Sequence, residues 1–370
     1  MILNKQLVVV NKKILFLVAH RLGRSPGQRF RFEQYLDYLH KNGFQSHISY
    51  LIDESDDDAF YSSGRFFAKF RILLKSIRKR WHDLKLAKNF DIVFLYRDAI
   101  MLGTTFFEKR LKKPGIPIVV DFDDSIWLND VSDGNRSLAF LKRPSKTPGI
   151  IKLCDTVFVG NKYLADFAAK YNTNVKIVPT TIDTEYYVPF EKTDHNPVCI
   201  GWTGSSTTLK HLSMAVPVLK KIRKKYGDKV YFKVISNEPL LADIEGLENV
   251  KWKKETEISD LNKIDIGIMP LPDNQWTRGK CGFKGLQYMA LEIPAVMSPV
   301  GVNNEIIDHG KNGFLATDDN DWYEKLCTFI DSFELRRRLG KEGRKTVIEK
   351  YSFNSQKDIY LNYFRELVNN

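Results

Sequence analysis

Short apolar runs rich in β-branched residues recur along this 370-residue chain and alternate with longer helix-forming stretches. Each run is continuously apolar, as is typical of parallel strands that are covered on both faces. The runs form two series, namely Ile14–Ala19, His47–Leu51, Ile92–Tyr96, Ile116–Asp121, Thr156–Gly160 and Val175–Val178, then Val198–Trp202, Val230–Ile235, Val250–Trp252, Ile266–Pro270 and Ala295–Ser298. This pattern predicts an α/β protein with two doubly wound, Rossmann-like domains.

A polar, proline-marked passage from Pro179 to Pro197 separates the two series. We therefore predict a first domain over residues 1–182 and a second over residues 196–353, followed by an amphipathic helix over residues 354–370. A chain of this length exceeds what one hydrophobic core usually holds, which favours two domains. Two facing domains of this kind are expected to bring their strand ends, and hence their ligand loops, to a shared cleft.

Composition narrows the class of protein. The formal net charge of +12 indicates an acidic partner, and nucleic acid, anionic lipid and phosphorylated sugars all qualify. The four cysteines lie far apart in the sequence, which favours reduced thiols in a cytoplasmic protein over disulfides or a zinc site. The longest apolar run near the start, Ile14–Ala19, is too short for a signal sequence or a membrane span.

The stretch from residue 278 to residue 303 joins a cationic, glycine-bearing loop to a helix and then to a buried strand. Backbone can approach a ligand closely at three positions, Gly279, Gly282 and Gly285. Positive charge is supplied by three side chains, Arg278, Lys280 and Lys284. Because the helix that begins near Phe283 also directs free N–H groups at this loop, the sequence predicts a site for an anion such as a diphosphate.

The same stretch resembles the nucleotide-sugar segment of family 4 glycosyltransferases, which are retaining enzymes with the GT-B fold, particularly those that serve bacterial surface polysaccharides. The family pattern is matched at five positions, Gly282, Met289, Ala290, Pro294 and Val296. Three positions depart from it: Gly279 and Gln287 replace the two motif glutamates, and Glu292 stands where glycine is usual. The lost carboxylates are expected to weaken the sugar and ribose contacts but to leave the anion-stabilising loop intact.

The resemblance implies metal-independent transfer of a hexose from a UDP- or GDP-sugar to a glycan or lipid-linked acceptor, with no cofactor and no metal site. It also implies that the last helix crosses back to the first domain. Arg278, Lys280 and Lys284 would stabilise the departing diphosphate. The predicted donor contacts are Gly204, Ser205, Lys210, Gly282, Phe283, Gln287, Val302 and Asn303, with Asn237 and Trp252 near the base.

Purely structural roles for some of these predicted donor residues remain as alternatives. Residues 205–208 have the composition of a helix cap, so they need not touch phosphate. Trp252 is as well suited to a hydrophobic core as to a nucleotide base. Gln287 can bond a ribose hydroxyl, but only as a neutral partner.

In the first domain, the loop after the opening strand carries Arg29 and Arg31, and Arg97 follows a later strand. We predict that these arginines face the acceptor, although solvated arginines at helix ends are a common alternative. Asp123 and Asp124 are predicted acceptor-side groups, one of which orients the attacking hydroxyl, and capping of the local turn is the alternative. The second α/β series and the cationic loop argue against a metal-binding Asp-x-Asp motif here.

Residues 65–88 predict a basic amphipathic helix with an apolar stripe of Phe66, Phe70, Leu73, Ile77, Trp81 and Leu84. One interpretation is that this stripe packs on the sheet and leaves a solvated basic rim. The other, which is compatible with it, is that the helix docks on anionic lipid at the inner face of the membrane. Two rival functions remain. One is a non-catalytic nucleotide-sugar or glycan-binding relative, since both motif glutamates are replaced. The other is a nucleic-acid-binding protein, for which the sequence offers charge but no recognised module.

Overall fold

The strands form two six-stranded sheets in which all neighbours run parallel. The structure is a computed structural model and describes residues 11–62, 64–128 and 143–369. The strands are β1 (Lys12–His20), β2 (Phe44–Ile52), β3 (Ile92–Tyr96), β4 (Ile118–Phe122), β5 (Thr156–Val159), β6 (Val175–Ile177), β7 (Val198–Gly204), β8 (Val230–Ser236), β9 (Leu247–Lys251), β10 (Ile266–Met269), β11 (Ala295–Met297) and β12 (Phe314–Leu315). The predicted α/β architecture of two Rossmann-like domains is confirmed.

Helices alternate with these strands, as parallel connections require. They are α1 (Pro26–Arg31), α2 (Leu36–Lys41), α3 (Asp57–Tyr61), α4 (Phe66–Leu86), α5 (Phe106–Lys112), α6 (Thr147–Leu153), α7 (Lys162–Ala168), α8 (Leu209–Leu212), α9 (Val216–Tyr226), α10 (Glu257–Leu261), α11 (Gln275–Arg278), α12 (Phe283–Ala290), α13 (Asn303–Ile306), α14 (Asp319–Ile330), α15 (Phe333–Thr346) and α16 (Phe353–Asn369). None of the helices within the described ranges is both long and apolar enough to cross a bilayer.

The first compact unit runs to Pro179 and resumes at Lys357. Its strand order is β2-β1-β3-β4-β5-β6. The helix α16 completes its core, since the Phe364 ring lies 6.2 Å from that of Phe94 and 5.8 Å from that of Phe158. The chain therefore leaves this unit and returns to it before the unit is complete.

The second compact unit is Thr180–Gln356, with strand order β12-β11-β10-β7-β8-β9. One face of its sheet is covered by α9 and α14, whose apolar residues pack with alternate buried residues of β7, β8 and β10. The other face is covered by α12, since a Cβ at Gly267 of β10 would lie 2.4 Å from the Tyr288 ring. The last strand on each side is the least apolar or the shortest. Thus β9 has no fully buried residue and begins at Leu247 rather than at the predicted Val250, and the two-residue β12 was not predicted as a strand.

The helix α4 faces the sheet with its polar side. Its buried residues are Lys69, Ile72, Ser76, Arg80 and Asp83. Arg80 donates hydrogen bonds to the carbonyl oxygens of Val18 at 2.8 Å and Ser49 at 3.2 Å, and to Asp83 at 2.7 Å. The first alternative for the apolar stripe, packing on the sheet, does not hold for Phe66, Phe70 and Trp81, because these side chains are exposed.

Candidate functional site

Within the second unit, β7 and β10 mark the point where the strand order reverses. The chain passes from β7 to β8 on one side, whereas β10 leads to β11 on the other. Open α/β sheets bind ligands at the carboxyl ends of the strands at such a point. The loops that follow β7 and β10 are also those predicted to bind an anion.

Gly204 ends β7 and lets a lysine lie against the strand end. A Cβ atom at this position would stand 2.7 Å from Lys284 Cε and 2.5 Å from the Trp202 ring. Lys284 Nζ lies 5.5 Å from the centroid of that ring, within cation–π range. The structure therefore brings the predicted residues Gly204 and Lys284 together, and any larger residue at 204 would displace the lysine.

The turn after Gly204 is held by Asn237 at the end of β8. The Asn237 side-chain oxygen accepts from the Ser206 amide at 2.9 Å, and its side-chain nitrogen donates to Ser206 Oγ at 3.2 Å. Ser205 Oγ lies 2.9 Å from Thr207 Oγ1, and Lys210 is exposed in the adjacent α8. Asn237 thus shapes the phosphate-side turn, while its predicted contact with a base stays a prediction.

The loop after β10 contains the predicted cations in different settings. Arg278 is exposed and forms a two-pronged ion pair with Asp273, at 2.6 and 2.9 Å. Lys280 is half-buried, and its Nζ lies 5.1 Å from the centroid of the Trp276 ring. Arg278 must share its charge between Asp273 and any bound anion, so its contribution is expected to be the smaller.

The first turn of α12 carries Lys284 but no acidic residue, and the N-terminal end of a helix has partial positive charge. Gly282 precedes the helix with φ of 68°, a left-handed conformation that favours glycine. A Cβ at Gly282 would lie 2.2 Å from Ile306 Cδ1 and 3.4 Å from Val302 Cγ1. Phe283 is half-buried beside it. Close packing of α13 therefore holds the start of α12.

Asn303 sits at the start of α13 and is buried, with 1% of its surface exposed. Its side-chain nitrogen donates to the Ser298 carbonyl oxygen at 2.9 Å. Within the described residues its side-chain oxygen has no hydrogen-bond partner. Val302 is likewise buried. Donor contacts of Val302 and Asn303 stay predictions, and their side chains chiefly fix the loop that follows β11.

His211 in α8 is a site residue that the sequence analysis missed. The ring is 6% exposed, and its Nε2 atom has no hydrogen-bond partner within the described residues. Burial, followed by the positive charges of Lys280, Lys210 and Lys284, lowers the pKa of His211 to about 4. Three predicted cations thus act on one neutral imidazole. The signal in the sequence was its place directly after Lys210 in a helix that follows a glycine turn.

Gln287 lies in a buried hydrogen-bond network rather than at an open surface. Its side-chain nitrogen donates to Tyr187 Oη at 3.2 Å and to Glu257 Oε1 at 3.3 Å. The Trp252 ring nitrogen donates to the same Glu257 oxygen at 3.2 Å. Glu257 and Tyr187, which come from distant parts of the sequence, were not predicted. A carboxylate therefore stands beside Gln287, where the family pattern has its own.

A second cluster of polar groups lies in the first unit, where the strand order reverses between β1 and β3. Arg97 follows β3 in the left-handed region, with φ of 71°. Its guanidinium donates to Asp123 at 2.9 Å and to Asp124 at 2.8 Å. Tyr96 Oη also donates to Asp123, at 2.9 Å. Burial alone raises the pKa of Asp123, but the nearby arginines bring it below its ordinary value.

Gly27 in α1 makes room for this cluster, because a Cβ there would lie 2.0 Å from Tyr96 Oη. His20 ends β1 beside it and contacts the Tyr61 hydroxyl, at 3.4 Å from Nδ1 and 3.3 Å from Nε2. Burial and then Arg24 lower the pKa of His20 to about 4, against the opposite effect of Asp57. Hence this imidazole is also neutral, but it has a hydroxyl partner.

The remaining predicted arginines lie away from solvent to different degrees. Arg31 is buried, forms an ion pair with Asp121 and donates to the Val178 carbonyl oxygen. Arg29 is half-buried, with its guanidinium carbon 5.0 Å from the Phe30 ring centroid. Their acceptor contacts stay predictions, and Arg31 acts on the strand ends through Asp121. Across the described ranges, no group of three or more His, Cys, Asp or Glu side chains is placed to hold a metal ion.

Comparison with known proteins gives two kinds of likeness. Residues 197–332 match the model of the family described as glycosyl transferases group 1. An uncharacterised glycosyltransferase of Methanocaldococcus jannaschii is 27% identical over 158 residues, which cover 41% of this chain and 43% of that protein. The chain thus aligns with less than half the length of this curated relative.

Solved structures extend the likeness to nearly the whole chain. Sucrose-phosphate synthase from Thermosynechococcus elongatus superposes with a TM-score of 0.71 at 12% identity, covering 96% of this chain and 99% of that one. A glycosyltransferase from Rickettsia africae gives 0.70 at 14% identity, covering 97% and 100%. Anabaena HepE in complex with UDP and glucose gives 0.66 at 10% identity, covering 96% and 99%. At such low identities these neighbours show the fold alone, so the chain has the GT-B fold.

Proposed function

We propose that this protein is a retaining glycosyltransferase that moves a hexose from a nucleotide diphosphate sugar to a glycan or lipid-linked acceptor in polysaccharide biosynthesis. The observation that carries the proposal is the convergence of Gly204, Lys280 and Lys284 with the start of α12 where the strand order of the second unit reverses. This convergence falls inside the segment that matches the group 1 family model.

The chemistry of this cluster suits a leaving diphosphate. As the bond between the anomeric carbon and the phosphate oxygen breaks, negative charge grows on the diphosphate. We assign the stabilisation of that charge to Lys280, Lys284 and the N-terminal end of α12, and preorganised groups of this kind contribute several kcal/mol. The acceptor oxygen bonds to the anomeric carbon on the face that the diphosphate leaves, and the hydroxyl proton passes to the diphosphate. No metal is assigned a role.

We assign the nucleoside part of the donor to the hydrogen-bond network around Gln287. Its amide and the neighbouring Glu257 carboxylate both belong to the same hydrogen-bond group, so the loss of the family glutamate at 287 leaves a carboxylate nearby. Trp252, which is half-buried and bonded to Glu257, lies close enough to this network to flank a base. We therefore assign Glu257 to the ribose hydroxyls, acting with Gln287. Anabaena HepE, a neighbour in fold, has been crystallised with UDP and with UDP-glucose, which supports a uridine donor.

The first unit is assigned to the acceptor. Asp123 is ionised and held by Tyr96 and Arg97, so it accepts hydrogen bonds rather than donating them. A carboxylate in this state orients the attacking hydroxyl. Arg97 fixes both Asp123 and Asp124, and its own strained backbone conformation is of the kind that recurs at functional sites.

The first experiment is a thermal-shift screen of UDP- and GDP-sugars in EDTA, followed by measurement of sugar release from each hit. We expect stabilisation by the sugars of one nucleotide and slow release of sugar without added metal. Stabilisation without release or transfer to any acceptor would identify a non-catalytic nucleotide-sugar-binding relative. No response to any donor, with or without manganese, would contradict the proposal.

The stereochemistry is tested separately. The anomeric configuration of the released or transferred sugar is read by proton NMR early in the reaction, before the free sugar mutarotates. Retention is expected to give a product with the configuration of the donor. A product with the inverted anomeric configuration would be compatible with a transferase but would contradict the same-face mechanism.

A further inference from the structure

The solvent-facing side of α4 is apolar, whereas a helix that packs on a sheet usually exposes polar side chains. Phe67 is 93% exposed, Phe70 58% and Leu74 52%. Phe66 at 57% and Trp81 at 42% extend this surface along the helix. Side chains of this size and number are seldom left in water on one helix without a partner.

The helix cannot rotate to bury these side chains. Its inner face is fixed by Arg80, whose guanidinium donates to the carbonyl oxygens of Val18 and Ser49 and to the Asp83 carboxylate. Ser49 Oγ also donates to Asp83, at 2.7 Å. Turning the helix would leave a buried ion pair without partners, which costs several kcal/mol. The exposed aromatic face is therefore a built feature of the first unit.

Basic side chains are interleaved with the apolar ones. Arg71, Arg78 and Lys85 are exposed on the outward face of α4. From α5, the Arg110 guanidinium lies 5.1 Å from the Trp81 ring centroid and 4.4 Å from that of Phe106, which is 37% exposed. We call this combination of α4 and α5 the aromatic–basic face.

Carboxylates near the face lie at one end of it. Asp58 pairs with Arg65 at 2.7 Å, Asp56 lies 3.9 Å from Arg71, and Asp53 and Asp56 both pair with Lys75. Among the described residues, no carboxylate forms an ion pair with Arg78, Lys85 or Arg110. The positive charge of the face is thus compensated near the start of α4 and remains toward its end.

We propose that the aromatic–basic face docks on an anionic lipid bilayer. Separate aromatic and aliphatic tips surrounded by Arg and Lys match the interface of such a bilayer, where apolar groups enter the acyl boundary and cations meet the headgroups. A nucleic acid would pair with the basic side chains of this face but would leave Phe67 and Leu74 exposed to water. This inference rests on the exposure and charge of the first unit and does not depend on the proposed transferase activity.

The test is co-sedimentation of the whole protein with vesicles of phosphatidylcholine alone or mixed equally with phosphatidylglycerol. We expect binding only to the mixed vesicles, weakened by salt. The double variant Phe67→Ser/Phe70→Ser removes apolar tips that are already solvent-exposed, so it should fold normally. Its binding constant is expected to fall about tenfold or more, because two aromatic side chains no longer enter the apolar part of the bilayer.

Charge is tested with Arg78→Glu/Lys85→Glu, which is also expected to weaken binding at least about tenfold, because two attractive charges become repulsive. Two matched controls lie in the second unit. Leu241, 92% exposed, is changed to Ser, and Lys221→Glu/Lys224→Glu reverses two exposed charges on α9. Both controls are expected to bind vesicles like the parent chain.

Three outcomes would overturn the proposal. The first is equal sedimentation with both kinds of vesicle, or with neither. The second is unchanged binding in both double variants. The third is an equal loss in the control variants, which would assign the effect to net charge or general hydrophobicity rather than to this face. Retention of RNA that competes with the mixed vesicles but depends only on Arg78 and Lys85 would favour the nucleic-acid alternative instead.

Discussion

The two units place opposite kinds of charge arrangement at equivalent points of their sheets. In the second unit, Lys210, Lys280 and Lys284 all act on the neutral His211. In the first unit, Arg97 is paired with two carboxylates. A cluster of cations beside an unpaired imidazole is suited to a ligand that brings negative charge. A cluster that is already neutralised is suited to a hydroxyl-bearing ligand that needs orientation.

This contrast is tested most strongly by removing one charge from the second unit. Lys284→Met keeps the carbon stem beside Gly204 and removes only the ammonium group. We expect nucleotide affinity to fall about 10- to 100-fold, as when one hydrogen bond to a charged group is lost. The measurement is calorimetric titration with UDP and with GDP.

Lys311→Ala is the matched control, because Lys311 lies in the same unit with 70% of its side chain exposed. Its nucleotide affinity is expected to equal that of the parent chain. Equal nucleotide affinities for the parent chain, Lys284→Met and Lys311→Ala would show that Lys284 does not contact the donor.

The variant Asp123→Asn tests the ion-paired cluster of the first unit. The change weakens the bonds from Tyr96 and Arg97, so we expect unfolding free energy to fall by about 2 kcal/mol while nucleotide affinity is unchanged. Urea denaturation and calorimetry measure the two quantities. Asp308→Asn serves as the control, since this side chain is 64% exposed and its ion pair contributes little. A loss of nucleotide affinity in Asp123→Asn would mean that the two clusters do not divide their ligands as proposed.

The backbone offers a smaller test of the same contrast. Glu292 has φ of 56°, the conformation of the glycine that the family pattern has there, and it lies outside the cationic cluster. We expect Glu292→Gly to raise the unfolding free energy by about 1 kcal/mol. Arg97→Gly relieves a similar strain but removes two ion pairs, so it is expected to lower stability. Thermal denaturation of both variants decides whether strain or pairing dominates at each site.

The lowered pKa values of His211 and His20 allow the two units to be compared by the pH dependence of nucleotide binding. His211 is neutral above a pKa of about 4, and a bound diphosphate raises that pKa. Nucleotide binding near pH 6 should therefore take up protons, and affinity should rise severalfold as the pH is lowered from about 7.5 to 5.5, within the range of a partial pKa shift. Calorimetry in buffers of different ionisation enthalpy measures the uptake. His20 already contacts Tyr61 and lies in the other unit, so His20→Gln should retain the uptake, whereas His211→Gln should lose it.

Stability has the opposite dependence in the absence of ligand. The folded-state pKa of His211 is lower than that of an unfolded histidine, so the unfolded chain binds more protons between about pH 4 and 6.5. The free energy of unfolding should therefore decrease as the pH falls through this window. His211→Gln is expected to reduce this loss when both proteins are unfolded in urea at several pH values.

The sequence predicted the sheets well because their strands are continuous apolar runs, and this signal is local. It also predicted the helix that begins at Phe283, whereas the anion-binding role of the loop from Arg278 to Lys284 stays a prediction. Pairing partners were less visible. Nothing local to Gln287 indicates Glu257, and nothing local to Arg278 shows that Asp273 takes two of its hydrogen bonds.

The orientation of α4 shows the same limit. Its apolar stripe is clear in the sequence, and helical periodicity alone assigns such a stripe to the core. The buried positions are instead set by Arg80, which pairs with Asp83 and donates to three strand or loop carbonyl oxygens. Whether a charged pair can be buried depends on partners from distant strands, and these are not visible in the pattern of one helix.

The position of Phe364 has a consequence for how the protein is made. Its ring packs with Phe44, Phe94 and Phe158 in the first unit, although it lies more than 200 residues farther along the chain than any of them. When the last strand of the described ranges, β12, has left the ribosome, this side chain has still not been released. The first unit therefore waits, with part of its core uncovered, until the second unit has been synthesised in full, and this interval is when the nascent chain most needs protection from aggregation.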